Sequence, residues 1–538
     1  MRISTGQFFD ASAANYQRIY SNTLSTGQEV SSQIKLNTAA DDPDGATRLL
    51  QLGQQSSLLG QYSSNMTAAN ATMTQAQSAM TGIQTALGRA QELVVGGANG
   101  TNTDKDRLAN SEELTQIQAQ VLSLMNSQDA NGQYIFSGSK SSTPPYSQNS
   151  DGTYSYNGDQ TSSSVPIGNG LSIATNTTGW DAFEQATNTA RTSTTMTSPT
   201  TDDGRINLSA GQVTNSVTFN SAFASGQPYT VSFLSSTTYK ITDNMNLNVT
   251  SASSGNGTFS STSSASQSIG FRGLEISLNT NLSTADKTAT GTQTATQVAD
   301  AAVAGHTFQL AATPDTFSTS RSPGNASTTV ITSAAETDAT AYSSSFPPGG
   351  AVLKFTSPTQ FDLYAAPITS TSKAVSSGTV NTSGTPSITT ATAAGITFSL
   401  SGTPAASDTF SVQANTHQSQ NVLNTLAAAA AALAAPSDGN PVAQQKLAAS
   451  MDAAIGNLDK ANTLVQSAIS NSGARQKIII NQGATNDTLV IGNTVAQGVI
   501  RDSDPVEAYT RLTLQTTMLS AAQLAFSKIS QLGLFNKV

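Results

Sequence analysis

From Leu59 onward, one stripe of side chains constrains the fold more than any other feature of these 538 residues. Tyr62, Met66, Ala69, Met73, Ala76, Met80, Ile83, Leu87, Ala90 and Val94 follow at steps that alternate three and four without a miss. An apolar repeat of seven residues, kept up for that long, is the seam of a coiled coil or helical bundle, because that spacing keeps one helix face turned to a partner. The helix has a marked start, with Asp42 as N-cap, Pro43 at the first helical position and Asp44 in the first turn. The cap oxygen satisfies orphan N–H groups, proline loses nothing at that position, and the carboxylates favour the positive end of the dipole. Gly96-Gly97-Ala98-Asn99-Gly100 ends it. At about 1.5 Å per residue, a helix over 43–95 is roughly 80 Å long, which predicts an elongated bundle. The expected partner is 104–128, with Leu114, Ile117, Val121 and Leu124 at the same spacing. Asn131-Gly132 then marks a tight turn before a short strand, Tyr134-Ile135-Phe136.

Both ends of the chain repeat the helical pattern. Met451, Ile455, Leu458, Asn462, Val465 and Ile469 form one stripe. Asp504 as cap, Pro505 at the first position and Glu507 open a second helix, carrying Ala508, Leu512, Gln515, Leu519, Ala522, Phe526 and Ile529. The N-terminal end answers with a thinner, more polar stripe at Phe9, Ser12, Tyr16, Ile19, Thr23 and Val30.

Between about 140 and 420 the period changes to two. Tyr229/Val231/Phe233, Leu274/Ile276/Leu278, Leu353/Phe355, Ile396/Phe398/Leu400 and Phe410/Val412 alternate with polar residues and are separated by Gly, Asn, Ser, Thr and Pro. That is the mark of short, half-buried strands. The Ser/Thr-rich stretches 251–268 and 369–394 read as long loops or local disorder. Two short matches repeat within this zone. Phe233–Ile241 matches Phe355–Leu363, and Gly273–Leu278 matches Gly395–Leu400, both offset by 122 positions. The shared offset indicates two related β units.

The fold class that follows is α+β and multidomain, a helical bundle built from both termini with inserted all-β domains. The expected limits are 1–42 for an N-terminal assembly helix and linker, and 43–130 for the first part of the helical core. A first β domain follows over 131–210, then a β region over 211–420 with units at about 229–320 and 351–413. Residues 421–503 are the second part of the helical core and 504–538 a C-terminal assembly helix.

Composition narrows the function. A net charge of -9 offers no basic footprint for nucleic acid. Charged residues are 11% of the chain, against about a quarter in ordinary domains. The absence of cysteine excludes disulfides, thiolate metal sites and a Cys nucleophile. No apolar run reaches the roughly 18 residues of a membrane span, and the first residues lack the apolar core of a cleaved signal. Asp41-Asp42 and Asp502/Asp504 read as caps rather than paired catalytic carboxylates. His306 and His417 stand alone in β sequence, and no HExxH, GxSxG or Walker pattern occurs. Trp180, near Phe183, is expected in the core of the first β domain. No catalytic residue, cofactor or metal site is expected.

Several motifs bear on family. They are Met1-Arg2-Ile3-Ser4-Thr5, Asp41-Asp42-Pro43, Gln61-Tyr62-Ser63-Ser64-Asn65, the run Glu92–Thr101, Gly132–Gly138 and the closing Ser527–Phe535. With helical seams running to both ends around a β insert, the chain resembles the bacterial flagellin family, in its hook-associated branch. The likeness covers roughly 1–140 and 441–538; the middle is longer than is usual there. It implies a structural subunit joining the hook side of the flagellum to the filament, exported unfolded by the flagellar type III route to the cell exterior without a cleaved signal peptide. It also implies copies of itself, the first hook-associated protein and flagellin as partners, and an export chaperone at the C-terminal helix. The residues leave two alternatives open: a filament subunit, or a surface adhesin with a helical stalk and β heads.

The stripes supply a physical reason for assembly. Ordering each terminal residue costs about 1–2 kcal/mol, whereas burying Leu512, Leu519, Phe526 or Ile529 returns roughly 1.5–3 kcal/mol apiece. The seam alone falls short, so a partner surface has to contribute. The expected assembly interface is Phe9, Tyr16, Ile19, Val30, Leu512, Leu519, Ala522, Phe526 and Ile529, with both ends loosely ordered in the monomer.

Overall fold

The computed structural model describes residues 5–99, 102–149, 152–261, 266–383 and 388–535. Residues 1–4 and 100–101 of the family motifs lie outside these, as do residues 536–538 and the side chains of Phe9 and Ile529. The architecture is α+β, with helices from both ends of the chain and β units inserted between them. The long helices are α1 (Thr5–Ser32), α2 (Pro43–Gly97), α3 (Asp104–Met125), α4 (Val422–Ala434), α5 (Pro441–Arg501) and α6 (Pro505–Phe535). Asp42 Oδ1 accepts the Gly45 N–H at 3.0 Å and Asp504 Oδ1 the Val506 N–H at 2.8 Å, each just ahead of a proline that opens its helix. Two compact units result. One holds residues up to Gln75, Ser162–Asn176 and the chain from Asn471 on; the other holds Ala76–Thr161 and Thr177–Ser470.

All eleven stripe positions from Leu59 to Val94 are buried. In the second unit, Met80, Ile83, Leu87 and Val94 of α2 meet Leu114, Val121 and Met125 of α3, Leu426 and Leu433 of α4, and Met451, Leu458 and Val465 of α5. The Leu433 side chain sits directly on the α2 backbone: a Cβ on Gly97 would lie 2.3 Å from Leu433 Cδ2. The start of α3 is held by a reciprocal capping box between Thr103 and Asp106. Next to it, Arg107 is 1% exposed, and its guanidinium bonds Asp438 at 2.6 Å, together with Asp104 and the Asn102 carbonyl. That staple fixes the 436–440 loop against α3.

Three expectations change in this region. Tyr134-Ile135-Phe136 makes one bridge, Gln128↔Tyr134, instead of a strand, because Ile135 and Phe136 turn into the helical core. Trp180 lies in a single helical turn, Trp180–Glu184, whose Phe183 packs on that same core and not in a β domain. The segment 131–190 therefore belongs with the helices, and the limit drawn at 210 falls inside a sheet.

The β units follow. In the first, β1 (Thr192–Ser198), β2 (Ile206–Leu208), β3 (Gln212–Val213), β4 (Tyr229–Phe233), β5 (Tyr239–Thr242), β6 (Gln267–Phe271), β7 (Leu274–Thr280) and β8 (Thr307–Ala312) form two sheets. Their orders are β6–β7–β2, with β3 also on β7, and β1–β8–β4–β5. In the second, β9 (Thr316–Arg321), β10 (Val330–Glu336), β11 (Ala351–Ser357), β12 (Gln360–Ala365), β13 (Ala374–Ser383), β14 (Ile388–Ala393), β15 (Ile396–Ser401) and β16 (Thr409–Asn415) close a barrel. Its order is β9–β10–β15–β14–β13–β12–β11–β16. The 369–394 stretch thus contributes two strands where a loop was expected.

The offset of 122 lands on equivalent positions. Phe233 pairs with Tyr239 as Phe355 pairs with Phe361, and Phe271 pairs with Leu274 as Ala393 pairs with Ile396. The latter two hairpins turn through positive φ at both central residues, Arg272-Gly273 and Ala394-Gly395, as a tight two-residue turn requires. Each glycine carbonyl accepts two backbone N–H groups, from Thr214 and Asn215 in one unit and from Thr337 and Asp338 in the other. A Cβ on either glycine would clash, 2.6 Å from Phe219 N or 2.3 Å from Asp338 O. The first unit follows the same cyclic strand order without a counterpart of β13, with β2 and β3 together in the place of β10, and it is left open between β1 and β2 and between β5 and β6.

Each unit has its own core, with Phe355, Phe361, Phe398 and Phe410 filling the barrel. Phe410→Ala is expected to cost about 3–5 kcal/mol and to be felt in the barrel alone. Far-UV circular dichroism should show an earlier transition in denaturant. Fluorescence of Trp180, the sole tryptophan and part of the helical body, should keep its midpoint. A matching shift in both signals would contradict separate cores.

Candidate assembly surface

In the unit that contains both chain ends, α1 packs along α6. The sequence stripes meet there: Ser12, Tyr16, Ile19, Thr23 and Val30 are half-buried, as are Leu512, Gln515, Leu519, Ala522 and Phe526. The Tyr16 and Phe526 rings stack with centroids 6.0 Å apart, and Leu512 lies opposite Gly27. Ala508 and Thr26 are the fully buried positions of this pair among the described side chains. The proposed interface residues are thus engaged in a seam within one chain. What remains open is the other side of each helix: Tyr20 and Leu24 on α1, and Val506, Tyr509, Leu514, Met518 and Leu524 on α6 are all exposed.

The second half of α5 inverts the usual pattern. Its first half buries Met451, Ala454, Leu458, Ala461, Val465 and Ala468, so that Ile455, Asn462 and Ile469 sit at the flank of the seam rather than in it. At steps of seven, the same inner line continues as Ser472, Ile479, Asn486 and Asn493. The two asparagines are 3% and 5% exposed. Asn486 Nδ2 donates to the Ile167 carbonyl at 3.0 Å, on the hairpin Ser164–Gly168/Leu171–Ala174, and Asn493 Nδ2 to the Leu52 carbonyl at 2.8 Å. That hairpin adds Ile167 and Ile173 to a small core with Met66, Ala69, Met73 and Ile479. Around the rest of the helix, Ile478, Ile480, Leu489, Ile491, Val495 and Val499 are exposed, Val499 at 71%. A helix apolar outside and polar inside is the reverse of one that faces water.

Both histidines are held by hydrogen bonds within the β region. His306 Nδ1 bonds the Val303 carbonyl and its Nε2 bonds Asp203, while His417 Nε2 bonds the Pro314 carbonyl. Among the described residues no group of three or more His, Asp or Glu could hold a metal ion, and no helix is long and apolar enough to cross a membrane. One half-buried carboxyl stands apart in the helical body. Burial pushes Glu184 up to about 7, against hydrogen bonds from Tyr146 and from Asn421, whose Nδ2 donates at 2.6 Å. Asn421 also caps α4, so this acid ties the Trp180 turn to a helix start.

Helical regions from both chain ends, enclosing inserted β units, define the class of protein. Comparison with known proteins agrees. Residues 3–141 match the family model for the bacterial flagellin N-terminal helical region. The chain is similar to flagellar hook-associated protein 3 of Salmonella typhimurium, at 28% identity over 190 residues, which is 35% of this chain and 59% of that protein. It is equally similar to flagellar hook-associated protein 3 of Escherichia coli, at 28% over 148 residues, 28% of this chain and 47% of that one. The chain thus spans about half the length of the curated relatives it matches. Among solved structures, the flagellar junction protein FlgL of Legionella pneumophila is 17% identical with a TM-score of 0.49, covering 85% of this chain and all of that one. The motifs at 41–43, 61–65, 92–101 and 132–138 all fall within the matched region.

A carboxyl raised by folding contributes stability below its unfolded value, 4.5, and loses it as the pH rises through about 7. Glu184→Gln removes that dependence. Relative to the parent, the variant should gain on the order of 3 kcal/mol between pH 4.5 and pH 8, read from Trp180 fluorescence in urea. A difference that stays flat across this window would refute a neutral acid at this position.

Proposed function

We propose that the chain is a structural subunit of the bacterial flagellum that joins the hook-side junction to the filament by self-assembly of its helical ends. The observation that carries this reading is the inversion of α5, polar at Asn486 and Asn493 inside and apolar from Ile478 to Val499 outside. Exposed apolar positions on α6 and α1 extend the same character. Such a surface is unfavourable in water and favourable once other chains cover it. The similarity to two flagellar hook-associated proteins supplies the setting.

In this reading the inner seam of Tyr16, Ile19, Val30, Leu512, Leu519, Ala522 and Phe526, with Phe9 and Ile529 continuing its spacing, holds α1 to α6. The open faces are covered by copies of the same chain, with the first hook-associated protein on one side and flagellin on the other. In this reading the chain reaches a site outside the cell in a largely unfolded state. A chaperone that covers the apolar C-terminal helix before export fits that state. The role is structural, with no catalysis, cofactor or metal ion. The β units then face solvent and take no part in the joint.

The two sides of α6 should respond differently to charge. An unpaired carboxylate in a desolvated seam is costly. Leu519→Asp or Phe526→Asp is expected to loosen the α1–α6 pair and abolish attachment to the filament. Met518→Asp on the open face should leave monomer helicity unchanged and still abolish attachment. Circular dichroism of the monomer and immunogold labelling of sheared flagella read the two effects, and normal attachment of Met518→Asp would count against the model.

A further inference from the structure

Two short crossings carry the chain between helix pairs in the unit that contains its ends. Residues 33–42 lead from α1 to α2, and 502–504 lead from α5 to α6. The two crossings are bonded to each other. The Lys35 N–H donates to the Arg501 carbonyl at 2.8 Å and the Ser503 N–H to the Gln33 carbonyl at 2.9 Å, with Ile34 and Asp502 opposed as an antiparallel bridge. Gln33 reaches this register through the left-handed region, at φ 59°.

Side chains close the arrangement from both sides. Glu29, on the last full turn of α1, is largely enclosed. Its Oε1 accepts from Ser503 Oγ and its Oε2 from the Arg511 guanidinium, each at 2.6 Å. One carboxylate therefore holds the second crossing and the second turn of α6 to α1. From the other side, Lys35 Nζ donates to the Val499 carbonyl at 3.0 Å, at the negative end of the α5 dipole. Within the first crossing, Asp41 Oδ2 takes the Thr38 and Asn37 N–H groups, and those bonds hold its carboxyl below the usual range. The start of α2 lies against the end of α5, since a Cβ on Gly45 would come within 3.3 Å of Ile500 Cγ2.

We propose that the two crossings form one clasped joint, closed by Glu29, through which α1 and α6 order and tilt as a single body. Each crossing alone is a short polar segment with few buried groups, the ordinary place for local opening. Pinned side by side, neither can swing without the other. Charge-assisted bonds at Glu29 are the strong members of the set, and loss of Glu29 leaves the Arg511 guanidinium without that partner. The inference concerns the isolated chain and does not need the assembly reading.

The chain has no cysteine, so a single engineered pair reports on the joint. Ile34→Cys with Asp502→Cys places two thiols across an antiparallel bridge, at a spacing a disulfide can span. The quantity to measure is the effective concentration of that pair against glutathione, in the full-length monomer. We expect a value far above the roughly millimolar level of a flexible tether. Adding Glu29→Ala should lower it about tenfold or more, and Glu29→Gln, which keeps the serine bond but loses the ion pair, by less. Adding Met518→Asp should leave it unchanged, so that failure of assembly and failure of the joint are told apart. A parent value at the flexible-tether level, or one that Glu29→Ala does not lower, would overturn the proposal.

Discussion

The inner line of α5 changes chemistry along its length, and most of the helical architecture follows from that change. Met451, Leu458 and Val465 pack against α2, α3 and α4 as an ordinary apolar seam. Seven residues on stands Ser472, and later Asn486 and Asn493. A buried asparagine costs stability unless its amide is bonded, and here each donates to a carbonyl of a neighbouring element. Such polar positions fix register better than they add free energy, because a helix displaced by one turn would bury them unpaired. The apolar half holds the body together, while the polar half aligns α5 on α2 and leaves its apolar residues facing out.

The β region shows the same economy by repetition. One strand order serves twice, with the turn at Arg272-Gly273 answered by Ala394-Gly395 and each turn seated on the start of a short helical segment. Glycine is needed at 273 and 395 because backbone approaches within 3 Å of where a Cβ would stand. In the first unit the helix Ala295–Val303 lies between β7 and β8, and the cyclic order is open at two places. In the second, the connection from β15 to β16 is short and the barrel closes. Both solutions bury aromatic cores, so closure is not what makes either unit stable.

Where hydrophobic contrast was strong, the sequence was legible. The eleven stripe positions of α2, the aspartate–proline helix starts and the alternating strands at 229–233, 274–280, 351–357, 396–401 and 409–415 all lie where period and cap chemistry put them. The sequence of β13 and β14 reads as loop or local disorder because the residues they turn inward are mostly small, Ser376, Gly378, Ala391 and Ala393, which erases the period of two. Tyr134–Phe136 has strand composition but follows a tight turn that feeds its side chains into helices, and composition cannot see that. The Thr103–Asp106 box and the Arg107 staple were missed although the Thr-x-x-Asp signal was present, because Arg107 finds Asp438 more than three hundred residues away. Glu29, Ser503 and Arg511 carried no sequence signal at all, being polar residues that acquire meaning only when two linkers are brought together.

The terminal stripes were the hardest part to interpret, and the reason is physical. Tyr16, Ile19, Leu512, Leu519 and Phe526 do face a partner, but that partner is the other end of the same chain, and they are half-buried rather than enclosed. A two-helix pair cannot enclose its seam, since each helix covers the other on one side only. Leu514, Met518 and Leu524 extend around α6 on the uncovered side, so the helix is apolar over most of its circumference. Helices of that kind are stable when buried on all sides and marginal when paired. The exposed apolar residues of α6 beside its seam are thus what separates it from a helix with one wet face, which would keep that face polar.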